Sequence, residues 1–407
     1  MRFLLTLCAC LLLRPATAQW VNVGPGGEGL ISVSFADPNN GWICGVNAIF
    51  YRTQDGGTTW QYIPNFYTYK PHNNMLAVAA TASDKVALLW QQPSVSTPAT
   101  LYYSLNANNT TYYNISTNGN GDYNNLHFRQ AALGLAVGNT GVLALSRDQG
   151  QNWTNLTSGT QNNLYAADSP DGNVAYVVGS GGTLRRANGP NFTTWQALNS
   201  TTTTRLTSVW FVDAQQGYLV GEGGTALRTT NGGMSWLPML VNTTADLNAI
   251  RFINSSVGFI AGDVGTLLLT TDGGRSWQAE ASNTFETLSS ISATATGSTI
   301  WVAGGGGTVL KRGAVTLAAR DQLAPQTWQA YPNPFGSALK LTGSIPQAAT
   351  EVQLLDVTGR VVSSQLLPSP INFGDNLLAP TSLPTGVYFL NLLISGQPAQ
   401  RQRIIHY

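Results

Sequence analysis

GYLVGEGGTALRTTNGGMSW, from Gly217 to Trp236, returns forty-one residues later as GFIAGDVGTLLLTTDGGRSW, from Gly258 to Trp277. Two earlier copies are GWICGVNAIFYRTQDGGTTW, Gly41–Trp60, and GLAVGNTGVLALSRDQGQNW, Gly134–Trp153. Each copy reads as a short apolar strand, a Gly-rich turn, a second strand, an Asp/Asn-Gly turn and a Trp. A fixed period near 41 residues built of short strands means repetition of one sheet unit, stacked in a line or arranged around an axis.

Working outward, Trp153, Trp195, Trp236 and Trp277 are spaced by 42, 41 and 41 residues, and each is followed eleven residues later by a Leu, at 164, 206, 247 and 288. That Leu opens a further strand, as in LTSVWF (206–211) and LNAIRF (247–252). Trp20 is followed in the same way by LISVSF, whereas the last copy, Leu288 to Arg312, stops before its Trp strand. Joining the two chain segments completes that unit and leaves no exposed sheet edge. The 93 residues between Trp60 and Trp153 hold two units, the first of them enlarged. The expectation is an all-β chain with a seven-bladed β-propeller over residues 19–312, closed by the N-terminal strand at Trp20.

The motif T-x-D-G-G-x-x-W at Thr53–Trp60 and Thr270–Trp277 resembles the Asp-box of sialidase-like propellers. Ser146–Trp153 keeps Asp148 and Gly150, and Thr229–Trp236 has Asn231 in place of Asp. The fuller pattern, G-x-x-V-G-x-x-G-T-x-x-x-T-x-D-G-G-x-S-W, most closely resembles the photosystem II assembly-factor propellers. In a tight turn Asp55, Asp148 and Asp272 accept backbone N–H bonds while Gly takes positive φ, and Asn231 does the same. Identical residues in every unit point to architecture, so these acids are read as structural, and Trp60, Trp153, Trp236 and Trp277 as wedges between sheets.

A ligand site needs residues that vary on this fixed scaffold. The turns between second and third strands supply them: Asn47, Asn139, Ser180, Glu222, Asp263 and Gly305. They are expected on the face opposite the Asp-box turns. Glu222 and Asp263, in neighbouring blades, are the candidates for the two carboxylates of glycoside hydrolysis, set against the simpler reading as solvated turn acids. Sialidase chemistry would call on Arg205, Arg228 and Arg251 to clamp a carboxylate, without a second motif in support. In the enlarged second blade, Tyr67, Tyr69, Tyr102 and Tyr112 alternate with Asn, Thr and Ser, either as a binding surface for sugar or peptide or as filling of a widened blade.

Composition narrows the partners. A formal charge of +1 with 10% charged residues lacks the basic stripe that nucleic acid requires. Arg2, the apolar run Phe3–Leu13 and Ala16-Thr17-Ala18 read as a signal peptide over 1–18, with no transmembrane segment expected after cleavage. Cys8 and Cys10 leave with it, so Cys44 remains without an intrachain partner and reads as a small core residue. His72, His127 and His406 are too scattered for a metal triad, and no metal or cofactor is expected.

After Arg312 a spacer (313–327) precedes a change of texture. YPNPF, EVQLLDVTGRVV, GVYFLNLLI and QRQRIIHY read as strands of a small antiparallel β-sandwich with a hairpin at Asp356–Gly359. Pro332, Asn333 and Pro334 in YPNPF, Asp356, Gly359 and Arg360 in LLDVTGR, and Gly386 and Tyr388 in LPTGVY, followed by Arg403-Ile404-Ile405, resemble the type A sorting domain of type IX secretion cargo over 328–407. That resemblance implies the type IX secretion machinery as partner and secretion by, or attachment to the outer surface of, a gram-negative bacterium of the Bacteroidetes type. The leading functional expectation is a non-enzymatic propeller that binds a glycan or protein partner. The alternatives are an Asp-box glycoside hydrolase acting on extracellular polysaccharide and a chaperone like the photosystem assembly factors.

Overall fold

The computed structural model describes residues 20–63, 74–91, 100–104, 113–115, 122–130, 132–294, 296–313 and, further on, 328–331, 339–343, 349–356, 361–366, 376–377, 383–394 and 397–406. The signal-peptide reading over 1–18 lies outside the described residues, as do Tyr67, Tyr69, Tyr112, Pro332, Asn333, Pro334, Gly359 and Arg360. The chain divides into two compact units, Met1–Thr316 and Leu317–Tyr407.

The first unit is a β-propeller of four-stranded antiparallel sheets, seven among the described residues. Numbered along the chain, sheet one is Leu30–Phe35, Gly41–Gly45, Phe50–Thr53 and Gln61–Tyr62. Sheet two is Asn74–Ala82, Lys85–Gln91, Thr100–Ser104 and Tyr113–Ile115, and sheet three opens with Tyr123–Gln130. Sheets four, five and six open with Leu164–Asp168, Leu206–Phe211 and Leu247–Phe252. Sheet seven is Leu288–Ala293, Thr299–Gly304 and Thr308–Gly313, with Val21–Asn22 paired on its outer side, Val21 opposite Lys311.

One packing device repeats between sheets and accounts for most of the sequence pattern. Phe211 ends the first strand of sheet five and stacks on Tyr176 of sheet four, with ring centroids 3.6 Å apart, while Trp236 meets it edge-on at 6.0 Å. Phe252 lies likewise between Tyr218 and Trp277. Phe35 lies between Trp301 of sheet seven and Trp60. The Phe ring fills the space beside the first residue of the second strand, so that a Cβ on Gly217 would meet Phe211 at 2.3 Å. Glycine there is a packing requirement. The second glycine of the pattern has a different cause: a Cβ on Gly221 would meet the Arg205 carbonyl oxygen at 2.2 Å, because the Glu222 N–H closes on that carbonyl.

The T-x-D-G-G turns are built from their own side chains. Asp55 Oδ1 accepts the Thr59 N–H at 2.9 Å, and Asp55 Oδ2 accepts the Thr59 hydroxyl at 2.6 Å. Thr53 Oγ1 accepts the Gly57 N–H at 2.8 Å. Asp272 repeats the arrangement with Ser276, and Asp148 with the backbone and side chain of Asn152. Asn231 accepts the Ser235 N–H through Oδ1 and donates to the Ser235 hydroxyl through Nδ2. Each turn leans on the turn between first and second strands, as Gly56 N–H to Asn39 C=O and Gly273 N–H to Ser256 C=O show, so both turn types share one face.

In the second unit, one antiparallel sheet has the order 361–366, 349–355, 386–394, 397–406, and a three-stranded sheet joins 328–331, 339–343 and 376–377. Strands Ala349–Leu355 and Val361–Leu366 pair across the segment holding Asp356, with Val352, Leu354 and Leu390 buried beneath. Gly386 opens the strand that carries Tyr388, whose hydroxyl donates to the Pro384 carbonyl at 2.8 Å.

Candidate functional site

The turn residues expected to form a ligand surface are held by local bonds. Glu222 pairs with Arg205 at 2.9 Å, and Asp263 accepts from Asn248 Nδ2 at 2.8 Å. Asn139 donates to Asp122 at 2.7 Å and accepts from Asn124 at 2.8 Å. No described contact joins Glu222 to Asp263, and neither lines the central cavities. Asn47 is one place out of register with the others: it takes the middle of its 3-10 turn at φ 52°, where Thr140 and Gly223 stand. Tyr102 belongs to the third strand of sheet two, opposite Leu88 and Asn114. Of the three arginines considered for a carboxylate clamp, Arg205 is engaged with Glu222 and Arg228 lies on the third strand of sheet five. Arg251 alone reaches a central cavity.

Two cavities follow the first strands. The inner one, about 150 Å³, is lined by residues from the first strand of each of the seven sheets, including Ser32, Ala79, His127, Ala167, Trp210 and Arg251. The larger, about 410 Å³, sits where those strands run into their turns, among Ser34, Ala80, Arg129, Trp210, Arg251 and Ser292. It therefore lies toward the face of the T-x-D-G-G turns. The expectation that variable residues on the opposite face would frame the site does not coincide with this cavity.

Small polar side chains tie the first strands together. Ser34 Oγ accepts the Ala80 N–H and Ser292 Oγ accepts the Phe35 N–H, each at 3.0 Å. Asp168 occupies the same place in sheet four: its Oδ2 accepts the Phe211 N–H at 2.6 Å. A serine thus suffices for the link, and the carboxylate at 168 adds charge. Asp168 is fully buried, 2.9 Å from Arg129 Nη1 and 3.2 Å from His127 Nε2. Burial opposes its ionisation, but Arg129, His127 and the Phe211 N–H hold its pKa below the ordinary carboxylate value. Arg129 also donates to the Phe211 and Val212 carbonyls, so its guanidinium is well engaged. Trp210 lies against both guanidinium groups, with Arg129 at 4.2 Å and Arg251 at 4.6 Å from the ring centroid.

The Asp168–Arg129–His127 cluster and Trp210 were not anticipated from sequence. A signal existed in the fifth residue of each first strand. Aligned on their leading Leu, LISVSF, LTSVWF, LNAIRF and LSSISA carry Ser34, Trp210, Arg251 and Ser292 there, and strand pairing places Asp168 and His127 in the same row. The variation that builds this cluster lies inside the strands and not in the turns between them.

Among the described residues no group of His, Cys, Asp and Glu could hold a metal ion, and no helix is long and apolar enough to cross a membrane. Cys44 is buried, its Sγ 3.5 Å from the Met75 carbonyl, and burial pushes its thiol pKa up.

Residues 187–284 match the family described as photosynthesis system II assembly factor YCF48, and residues 329–406 match the secretion system C-terminal sorting domain. No curated protein matches the chain in sequence. Among solved structures, "YCF48 bound to D1 peptide" aligns with TM-score 0.60 and 19% identity over 74% of this chain and 100% of its own. YCF48 from Cyanidioschyzon merolae gives TM-score 0.60 and 18% identity over 73% of this chain and 99% of its own. The RRP9 WD40 repeats align at TM-score 0.58 with 9% identity, over 72% of this chain and 97% of theirs. At these identities the likeness shows the propeller fold. This chain is therefore a β-propeller resembling the YCF48 assembly factors, followed by a C-terminal sorting domain of the type IX kind that implies secretion or outer-surface attachment.

Proposed function

We propose that the chain is a secreted or surface-attached, non-enzymatic binding protein whose partner is a protein segment received at the central cavity. Residues 1–18 are its export signal, 19–312 a seven-bladed ring closed by the N-terminal strand, 313–327 a linker, and 328–407 the part that engages the type IX machinery. The ring is supported by the Val21–Lys311 pairing and by Trp301 of sheet seven stacking on Phe35 of sheet one at 3.5 Å, the device used between other sheets. Trp20, 4% exposed, packs on Phe259 of sheet six and shares a buried cluster with Leu288, Ile291 and Ala293 of sheet seven.

The observation that carries the binding reading is the cavity of about 410 Å³ with guanidinium and indole groups on one wall and small residues on the other. Its size suits a few side chains. A YCF48 of similar shape is described as bound to a D1 peptide, which agrees with a peptide as the class of partner. Glu222 and Asp263, by contrast, are spent on turn contacts, so the glycoside hydrolase reading has no geometric support of its own.

The test is a displayed peptide library and a glycan array screened with the full-length protein, with hydrolysis of the same glycans followed in parallel. Recovery of a peptide consensus whose binding is lost in Trp210→Ala supports the proposal. Cleavage of a glycan, abolished by Glu222→Gln or Asp263→Asn, overturns it.

A further inference from the structure

The first-strand residues that strand pairing aligns with Trp210 form a row with one-sided chemistry. Sheets three to six contribute His127, Asp168, Trp210 and Arg251, while sheets seven, one and two contribute Ser292, Ser34 and Ala79. Bulky and charged groups fill one side of the passage, and the small side chains opposite leave the space of the larger cavity. The charges do not balance there. Asp168 is the one carboxylate of the group, and it is taken by Arg129 at 2.9 Å, with His127 beside it.

Arg251 is the second guanidinium. Among the described residues it has a single hydrogen bond, from Nη2 to the Ala293 carbonyl at 3.3 Å, and it lines both cavities. Burial and the neighbouring Arg129 push its pKa down to about 10 against the opposing pull of Asp168, so it remains charged at neutral pH. Asp168 makes its close ion pair with Arg129, and no carboxylate among the described residues pairs directly with Arg251. That bond to Ala293 places the guanidinium beside the end of the strand that carries Ser292. The Ser292 oxygen accepts the Phe35 N–H, which leaves its own hydroxyl proton free to donate.

We propose that Arg251 is the anchor of a carboxylate-binding subsite in the channel mouth, which takes a carboxylate of a peptide ligand with Ser292 as second donor. The inference rests on the peptide-binding reading above and names the chemistry of the partner. A guanidinium pairs with a carboxylate in two parallel hydrogen bonds, and a partly desolvated one gains more from this than an exposed one. The rest of the cavity sets the small side chains of Ala36, Ala80, Ala82 and Ala293 among the hydroxyls of Ser34, Thr81, Ser83 and Thr294, so the carboxylate should be borne on a small body with few bulky groups. An acidic sugar fits less well. Sugars use open aromatic faces, and here both guanidinium groups lie over Trp210 while Phe35 and Phe252 each carry a stacked ring.

The experiment is calorimetric titration of the full-length protein with capped alanine-rich tetrapeptides in matched pairs. One pair has a free C-terminal acid or its amide, and the other an internal Asp or Asn. The expected result is binding of an acid form at least about tenfold tighter than its neutral match, the scale of a charge-assisted hydrogen-bonded pair. Which pair shows the difference tells a chain end from a side chain. Arg251→Gln should remove the preference, and Arg251→Lys should retain part of it. Equal binding of acid and neutral forms, an unchanged preference in Arg251→Gln, or no binding of any peptide at millimolar concentration each overturns the subsite. If Arg251→Gln fails to fold, the matched pairs on the unaltered protein decide. Neutral peptides that bind as well as acids sink this inference and leave the peptide-binding reading standing. That reading fails separately, through a library screen with no Trp210-dependent consensus.

Discussion

Asp168 shows how one residue can serve both scaffold and electrostatics. Its bond to the Phe211 N–H is the one a serine makes between other sheets, while its charge holds Arg129 in place under Trp210. Asp168→Asn keeps the shape but leaves a partly buried guanidinium unpaired, and should cost about 2–4 kcal/mol in chemical denaturation; Asp168→Ser, which restores the inter-sheet link, should not recover this. The turn acids act at the surface. Hydrogen bonds from the Thr59 hydroxyl and N–H hold Asp55 down to about 2. Asp148 and Asp272 also lie below the ordinary value: burial raises them, and the bonds from Asn152 and Ser276 outweigh it. Because the folded values are depressed, the stabilisation is present above about pH 4 and is lost as pH falls toward the folded values. Melting temperature followed from pH 6 to pH 2 should therefore fall less steeply when Asp55, Asp148 and Asp272 are all replaced by Asn.

Between elements, the aromatic sandwich sets the constraint. Phe211 cannot yield to a methyl group at 217, since Tyr176 covers its face at 3.6 Å and Trp236 its edge. Gly217→Ala should accordingly lower stability by about 1–3 kcal/mol, the range for overpacking. Trp236→Ala, which empties a site 4% exposed, should cost about 3–5 kcal/mol. If thermal and denaturant melts show neither loss, the sandwich does not hold neighbouring sheets together. The T-x-D-G-G turns sit just outside it, with the Tyr176 hydroxyl donating to the Gly232 carbonyl at 3.1 Å and Trp301 Nε1 to the Gly56 carbonyl at 3.1 Å. A turn motif and a core motif recur together because each fixes the other.

For the whole molecule, the chain's two propeller ends meet at a charged seam. Trp20 Nε1 donates to Glu280 Oε2 at 3.2 Å, Arg312 pairs with the same carboxylate, and the Arg312 guanidinium lies 5.8 Å from the Trp20 ring. Removing residues 19–29 would expose the outer edge of Thr308–Gly313, an invitation to pair with another chain. The shortened protein should form oligomers on size exclusion and melt well below the full-length chain, and Trp20→Ala should show a milder form of the same loss. A monomeric deletion product of equal stability would count against closure through this strand.

What could be read from sequence was whatever the repeat imposes on every sheet. The glycines at 217 and 221, the aromatic ends at Phe211 and Phe252, the Asp/Asn-Gly turns and the repeat tryptophans all stand at fixed spacing, because each answers a contact made again and again. The Trp20 strand reads in sequence as a unit missing from one end of the chain and left over at the other, and Val21 pairs with Lys311. The sorting domain announced itself by a change in texture and an ordered set of short motifs. The candidate site was not legible in this way. His127, Arg129, Asp168, Trp210 and Arg251 are spread over four sheets and 125 residues, each at a position that strand periodicity marks only as inward-facing. Whether such residues form a core, an ion pair or an unpaired charge depends on which sheets stand side by side and how much space the opposite side chains leave. Repetition along the chain carries local contacts; the balance of charge across the passage exists only once the sheets are brought around it.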